Sequence, residues 1–221
     1  MSEIDAIKSR HSVRIYDPVK IEKEKADKIR KKIEEINEEG SLRFEFVEDA
    51  GKIYSRFTNK ISGLGTAPSV IVCCGRESDT LEERIGYYGE KLVLFIQELG
   101  LNTCWTGIFN KAEVKKYVEI NSRLVVCIAV GHGRNKGIRH KSKRASQVTD
   151  KIGEKPYWFN KGVEMALLAP TALNQQKFEI KLNDDESVEI VNKGGPFSQV
   201  DLGIVRYHFE VGSLKRTKKP F

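Results

Sequence analysis

The chain has 221 residues, 39% of them apolar and 31% charged, with a formal net charge of +7. That length builds one large domain or two small ones with a sizeable core, and the composition excludes a mostly disordered chain. No run approaches the roughly 18–20 apolar residues of a membrane span, and the N-terminal MSEIDAIKSRHSVR lacks a signal-like apolar stretch, so a cytoplasmic location is expected.

In chain order, residues 21–38 read as an amphipathic helix with Ile29, Ile33 and Ile36 on one stripe, ended by Gly40. LRFEFVE (42–48) alternates and predicts a strand, and residues 52–61 predict a short helix. APSVIVCCG (67–75) and RLVVCIAVG (123–131) are β-branched apolar runs, hence buried strands. Between them, residues 83–100 predict a helix with Leu92, Phe95, Ile96 and Leu99 on one face. A basic loop without periodicity follows, over 132–155. YWFNKGVEMALLA (157–169) is apolar nearly all round and predicts a central helix, broken by Pro170. KFEIKL (177–182) and VEIVN (188–192) predict a hairpin across NDDES, and 200–214 a final amphipathic helix with Leu202, Val205 and Phe209 aligned.

The halves echo each other. RFEF follows the first long helix and KFEI the helix of the second half, and GEKLVLF (89–95) resembles GIVRYHF (203–209). The shared order of helix, strand and amphipathic helix favours a diverged duplication.

Cys73, Cys74, Cys104 and Cys127 include no CxxC pair, and adjacent strand residues point to opposite faces, so all four read as reduced thiols. His11, His132, His140 and His208 show no zinc-ligand spacing, and no metal is expected. Four segments carry chemistry. In RHSVR, Arg10 and Arg14 flank Ser12, a set suited to a phosphate, although from these five residues alone a solvated surface with a cap serine is the preferred reading. GLNTCWTGIF (100–109) sets Gly107 where backbone can approach a planar ligand; its Trp105 reads as core. HKSKR (140–144) reads as a solvated loop or as further phosphate contacts. APTALNQQ (169–176) is a polar corner after a buried helix, in which an asparagine either cements its own turn or reads a heterocycle's edge.

Taken in order, SRHSVRIYD, GYYGEKLVLFIQELGLNTCWTGIF, a buried strand ending VG, and KSKR resemble the FMN-dependent nitroreductase family, and APTALNQQ resembles its A-P-S-x-x-N-x-Q turn. In the common family pattern that turn follows the arginine motif by a few tens of residues. Here EEINEEGSLRFEF stands in that place, and the turn lies in the second half. Because family members are typically intertwined homodimers with flavin at the interface, the arrangement resembles a single-chain, pseudo-dimeric branch with one flavin site. The DLGIVRYHFE segment also looks like that branch.

The resemblance implies an α+β fold with a mixed or mainly antiparallel sheet between helices. It implies one nitroreductase-like domain over 1–221, with pseudo-repeat halves of about 1–150 and 151–221. It implies that Arg10, His11, Ser12 and Arg14 hold the FMN phosphate, with Lys141, Lys143 and Arg144 as further candidates. Thr106 and Gly107 are implied near flavin N5 and O4, with Pro170, Thr171, Ala172 and Asn174 covering the ring. The flavin itself would carry the chemistry, with no catalytic protein residue. NADH or NADPH would supply hydride and a nitroaromatic, quinone or similar small acceptor would take the electrons, in a ping-pong cycle. A monomer is compatible with this, the dimer interface being internal. The rival readings are a non-enzymatic flavin protein for storage or sensing, and a basic nucleic-acid binder. The second is disfavoured because no aromatics interleave with the basic loop; neither nucleic acid nor membrane is an expected partner.

Overall fold

The computed structural model describes residues 1–54, 63–64, 66–150 and 154–217. The chain divides into two compact units. One comprises Met1–Ser9, Glu82–Lys91 and His140–Phe221, and the other Arg10–Leu81 and Leu92–Arg139. They are called the first and second unit below.

The second unit is built on a four-stranded sheet of order β1-β2-β4-β3, formed by β1 (Glu45–Val47), β2 (Ser69–Arg76), β3 (Asn102–Thr106) and β4 (Ser122–Gly131). Its strand pairings are all antiparallel. The β-branched runs read as buried strands are the two inner ones. Val70, Ile71 and Val72 of β2 and Ile128 and Val130 of β4 are fully buried, as strands flanked on both sides must be. Helix α2 (Lys23–Gly40) buries Ile29, Ile33 and Ile36, the stripe its spacing predicts. It ends at Ser41 in the left-handed region. Asn37 then holds Phe44 through both amide groups, accepting from its N–H at 2.7 Å and donating to its carbonyl at 3.0 Å. That pair sets the turn from α2 into β1.

Strand β3 is an element that the sequence reading did not assign as a strand. NTCWT mixes polar and apolar residues without alternation, yet it pairs with β4 from Asn102↔Gly131 to Thr106↔Cys127. The predicted helix at 52–61 lies largely outside the described residues; Gly51–Tyr54 form a turn. All four cysteines are buried free thiols on β2, β3 and β4. Burial pushes each thiol up, Cys74 to about 11.

The first unit contains α1 (Glu3–Ser9), α5 (Tyr157–Ala166), the hairpin β5 (Phe178–Leu182) and β6 (Val188–Asn192), and α6 (Ser198–Ser213). It also takes Glu82–Lys91 from helix α3 (Leu81–Glu98). A short helix, α4 (Lys111–Val114), belongs to the second unit. Here two expectations are corrected. Helix α5 was expected to be central, but Tyr157 is 77% exposed and burial falls on one face, through Phe159, Gly162, Val163, Met165 and Ala166. Helix α6 was expected to be amphipathic, but every residue from Val200 to Glu210 is buried.

The physical reason lies in pairing. The charges of α6 that resemble a solvent face meet partners inside the unit. Arg206 donates from Nε to Glu83 Oε1 at 2.8 Å, and Glu210 accepts from Tyr87 Oη at 2.8 Å. His208 bonds Glu90 Oε1 through Nε2 at 2.9 Å and the Met165 carbonyl through Nδ1 at 3.1 Å. A carbonyl can only accept, so Nδ1 is the donor in the bond to Met165. Among the described residues no helix is long and apolar enough to cross a membrane.

Candidate functional site

In the second unit, the N-terminal motif docks along the open edge of β3. Ser12 forms a parallel bridge with Thr103, and Val13 N–H donates to the Thr103 carbonyl at 3.1 Å. The chain continues beside the end of β4, where Asp17 N–H donates to His132 O at 2.8 Å and Arg134 N–H to Ile15 O at 3.0 Å. The loop after β4 then folds back on the motif. At Gly137 (φ +71°) a Cβ would sit 2.8 Å from His11 Cβ and 2.9 Å from Ser12 O, so this left-handed position takes glycine on two counts. Strand geometry puts Thr106 about 10 Å along β3 from Thr103.

This arrangement gathers Arg10, His11, Ser12 and Arg14 at one end of a strand whose other end leads to Thr106 and Gly107. Arg10 is buried and Arg14 exposed. Both guanidiniums and the Ser12 hydroxyl act on the Cys104 thiol. Burial pushes that thiol up while Arg14, Arg10 and Ser12 pull it down, so the two cations share one neighbourhood. Nδ1 of His11, the residue between Arg10 and Ser12 in the chain, is buried without a hydrogen-bond partner. An anion with several oxygens fits that set: it would accept from the imidazole, the hydroxyl and the guanidiniums. The Thr106 hydroxyl is spent locally, accepting from Ile108 N–H at 3.1 Å and lying 3.2 Å from Ile108 O, while Gly107 is exposed.

In the first unit, the basic segment and the polar corner come together. Pro170 is buried, and residues 171–176 form a tight turn around a short 3-10 segment, Ala172–Asn174. Leu173, Asn174 and Gln176 all have positive φ, at 53°, 52° and 46°. Gln176 is the hub. Its Oε1 accepts from Lys143 N–H at 2.8 Å, and its Nε2 donates to Lys141 O and Asn174 Oδ1, each at 2.9 Å. Its own N–H donates to Thr171 Oγ1 at 3.1 Å. Asn174 Nδ2 donates to Lys141 O at 3.0 Å, so Asn174 does cement its turn. Lys143 donates from Nζ to Gln176 O at 2.6 Å and lines a groove of about 460 Å³ with Thr149, Lys177 and Lys193, whereas Lys141 and Arg144 are exposed.

Two residues of this turn, and one helical residue that bonds to it, went unpredicted. Gln176 lay within the quoted motif without a role. Leu173, 90% exposed, forms the tip. Asp201, in the first turn of α6, accepts from Ala172 N–H at 2.8 Å and from Gln175 Nε2 at 2.7 Å. An acid in a first helical turn ordinarily reads as a partner of the helix dipole, and nothing local signals a bond to a segment 29 residues earlier.

Burial pushes the Asp201 carboxyl from 3.8 up to about 6, against the bonds from Gln175 and Ala172 that favour its ionised form. The folded state therefore holds more protons than the unfolded one between those two values, and this group's contribution to stability falls as pH rises from about 4 to about 6. Relative to wild type, Asp201→Asn is expected to gain up to about 3 kcal/mol between pH 4 and pH 7, measured by urea unfolding at both pH values.

Among the described residues no group of three or more His, Cys, Asp or Glu could hold a metal ion. The family model described as "Putative TM nitroreductase" matches residues 3–213, and the chain belongs to this family. Its fold is accordingly the nitroreductase-like α+β fold. The crystal structure of "a putative nitroreductase" from Thermotoga maritima is 24% identical with a TM-score of 0.70, covering 100% of this chain and 91% of that one. An "FMN-dependent Nitroreductase" from Clostridium difficile is 23% identical at a TM-score of 0.51, covering 70% of this chain and 98% of its own. A "putative NAD(P)H:FMN oxidoreductase" from Staphylococcus epidermidis is 19% identical at 0.52, covering 65% and 91%. No curated protein matches.

Proposed function

We propose that the chain is an FMN-dependent oxidoreductase that binds one FMN and uses NADH or NADPH to reduce a small acceptor such as a nitroaromatic or quinone. The observation that carries the reading is the docking of the RHSVR segment on the edge of β3, with Arg10, Arg14 and Ser12 grouped about Cys104 and a buried, unpartnered Nδ1 on His11. Family membership and neighbours named for FMN and NAD(P)H support it. When bound, FMN supplies the redox chemistry, accepting hydride from the nicotinamide and passing electrons to the acceptor.

The chain's own residues bind and orient. Arg10, His11, Ser12 and Arg14 hold the phosphate by charge-assisted hydrogen bonds, aided by Lys141, Lys143 or Arg144. The resemblance assigns backbone N–H groups at Thr106 and Gly107 to the ring's polar edge; Thr106 N–H faces β4 in the ladder, so the Gly107 N–H is the one that would stabilise negative charge there. Pro170, Thr171, Ala172 and Asn174 cover the ring and keep water from it. No acid–base side chain is assigned a role.

The single-chain, pseudo-dimeric arrangement is part of the same proposal, along with one flavin per chain and a monomeric state. It is supported by the repeated order of helix and strand in α2–β1 and α5–β5. Two neighbours also match only 65–70% of this chain while matching 91–98% of their own lengths.

Arg14 is exposed, so its loss separates binding from folding. Arg14→Ala is expected to weaken FMN binding roughly 10- to 100-fold, the worth of one charge-assisted bond, with an unchanged melting temperature. Titration of flavin fluorescence checks this, and unchanged affinity would remove Arg14 from the site.

A further inference from the structure

The turn at 171–176 is held in a conformation its own residues disfavour. Leu173, Asn174 and Gln176 adopt left-handed backbone angles without being glycine; asparagine tolerates that region, but leucine and glutamine are disfavoured in it. Such a conformation persists only where surrounding contacts over-determine it. Those contacts come from two sides. On one, Gln176 ties the turn to Lys141 and Lys143. On the other, Asp201 takes the Ala172 N–H on Oδ1 and the Gln175 side chain on Oδ2, and that same Gln175 Nε2 also donates to the Pro196 carbonyl at 2.9 Å.

Asp201 is only 8% exposed. It projects from a helix whose every residue from Val200 to Glu210 is buried, which makes it a fixed anchor. Both carboxylate oxygens are used on the turn. What the anchored turn presents outward is Leu173, 90% exposed at its tip. An apolar side chain held out to solvent by a strained, doubly clamped backbone suits contact with the face of a flat ring.

We infer that Asp201 is a positioning residue for flavin binding: it holds the 171–176 turn in its left-handed conformation so that Leu173 and its neighbours cover the ring. The role acts through the turn and involves no contact between Asp201 and the cofactor. It rests on the flavin reading above.

The test uses the full chain in wild-type, Asp201→Ala and Asp201→Asn forms at pH 7, with two readouts. The first is backbone amide hydrogen exchange across residues 171–176 without FMN. The second is FMN affinity, with the visible circular dichroism of bound flavin. Asp201→Ala removes both acceptors, so exchange of the Ala172 amide and its neighbours is expected to rise about tenfold or more. FMN affinity is expected to fall by a similar factor, with an altered dichroic band. Asp201→Asn keeps an acceptor for Ala172 N–H and is expected to recover part of both effects, a graded rescue that general loss of stability would not give.

Unchanged exchange in Asp201→Ala would overturn the anchoring. Faster exchange with unchanged FMN affinity and dichroism would overturn the positioning role, leaving a purely structural one. Failure of the wild-type chain to bind FMN would overturn the flavin reading and this role with it, and the exchange data would still show whether Asp201 anchors the turn.

Discussion

Glu83→Ala is expected to destabilise the folded chain by about 3–5 kcal/mol, the cost of breaking a buried ion pair from one side. Glu83 and Arg206 are 6% and 4% exposed. The guanidinium meets the same carboxylate oxygen twice, from Nε at 2.8 Å and Nη2 at 2.7 Å. Removing the carboxylate takes the charged partner from a desolvated guanidinium, and the Thr217 hydroxyl that accepts from Nη1 is a dipole, not a charge. Replacing both residues together, as Glu83→Met with Arg206→Met, is expected to cost less than either single change, because no buried charge is stranded. Urea unfolding of the two singles and the double gives the coupling. A single-mutant loss below about 1 kcal/mol, the range of an exposed pair, would contradict the buried placement.

Gly203→Ala is expected to be at least as damaging, for a steric reason. A Cβ at Gly203 would lie 2.0 Å from the Glu83 carbonyl oxygen and 2.5 Å from Tyr87 N, and one at Gly86 would lie 2.0 Å from the Val200 carbonyl oxygen. The obstacles are main-chain atoms of the facing helix, which cannot rotate aside as a side chain can. The backbones of α3 and α6 must therefore separate, and that opens the buried Glu83–Arg206, Tyr87–Glu210 and Glu90–His208 pairs together. Overpacking ordinarily costs about 1–3 kcal/mol; against rigid backbone and three coupled polar pairs, a loss of about 3 kcal/mol or more is expected. Gly86→Ala should give the same result from the opposite helix. Thermal unfolding of both variants decides this, and a near-neutral outcome would mean that the helices do not cross so closely.

These two predictions concern the part of the molecule that sequence reading described least well. The sheet of the second unit was legible because its inner strands are β-branched runs and α2 carries a clean isoleucine stripe. Strand β3 was not, because NTCWT has no alternation and its pairing comes from the neighbouring β4. Helix α6 was misread for a related reason. Asp201, Arg206, His208 and Glu210 look like a solvent face, and only partners distant in the chain reveal that they are inside. Periodicity registers polarity but not pairing.

The candidate site divides along the same line. RHSVR and APTALNQQ stood out because clustered guanidinium, hydroxyl and amide groups are visible as residue types. The structure adds what holds each cluster. Gly137 packs the loop after β4 against His11 and Ser12, and Gln176 and Asp201 clamp the turn. Those supports act through backbone contacts and bonds to distant segments, which leave no local mark in the sequence.

The central claim, one flavin per chain that NAD(P)H can reduce, is tested most directly by a visible absorption spectrum of the purified chain. The protein is incubated with FMN, desalted, and then treated with NADH or NADPH without oxygen. The account predicts flavin absorbance at one FMN per chain and bleaching by the nicotinamide. No retained flavin, or two per chain, would contradict the proposed site. Retained flavin that stays coloured would contradict the oxidoreductase reading and leave a flavin-binding protein for storage or sensing.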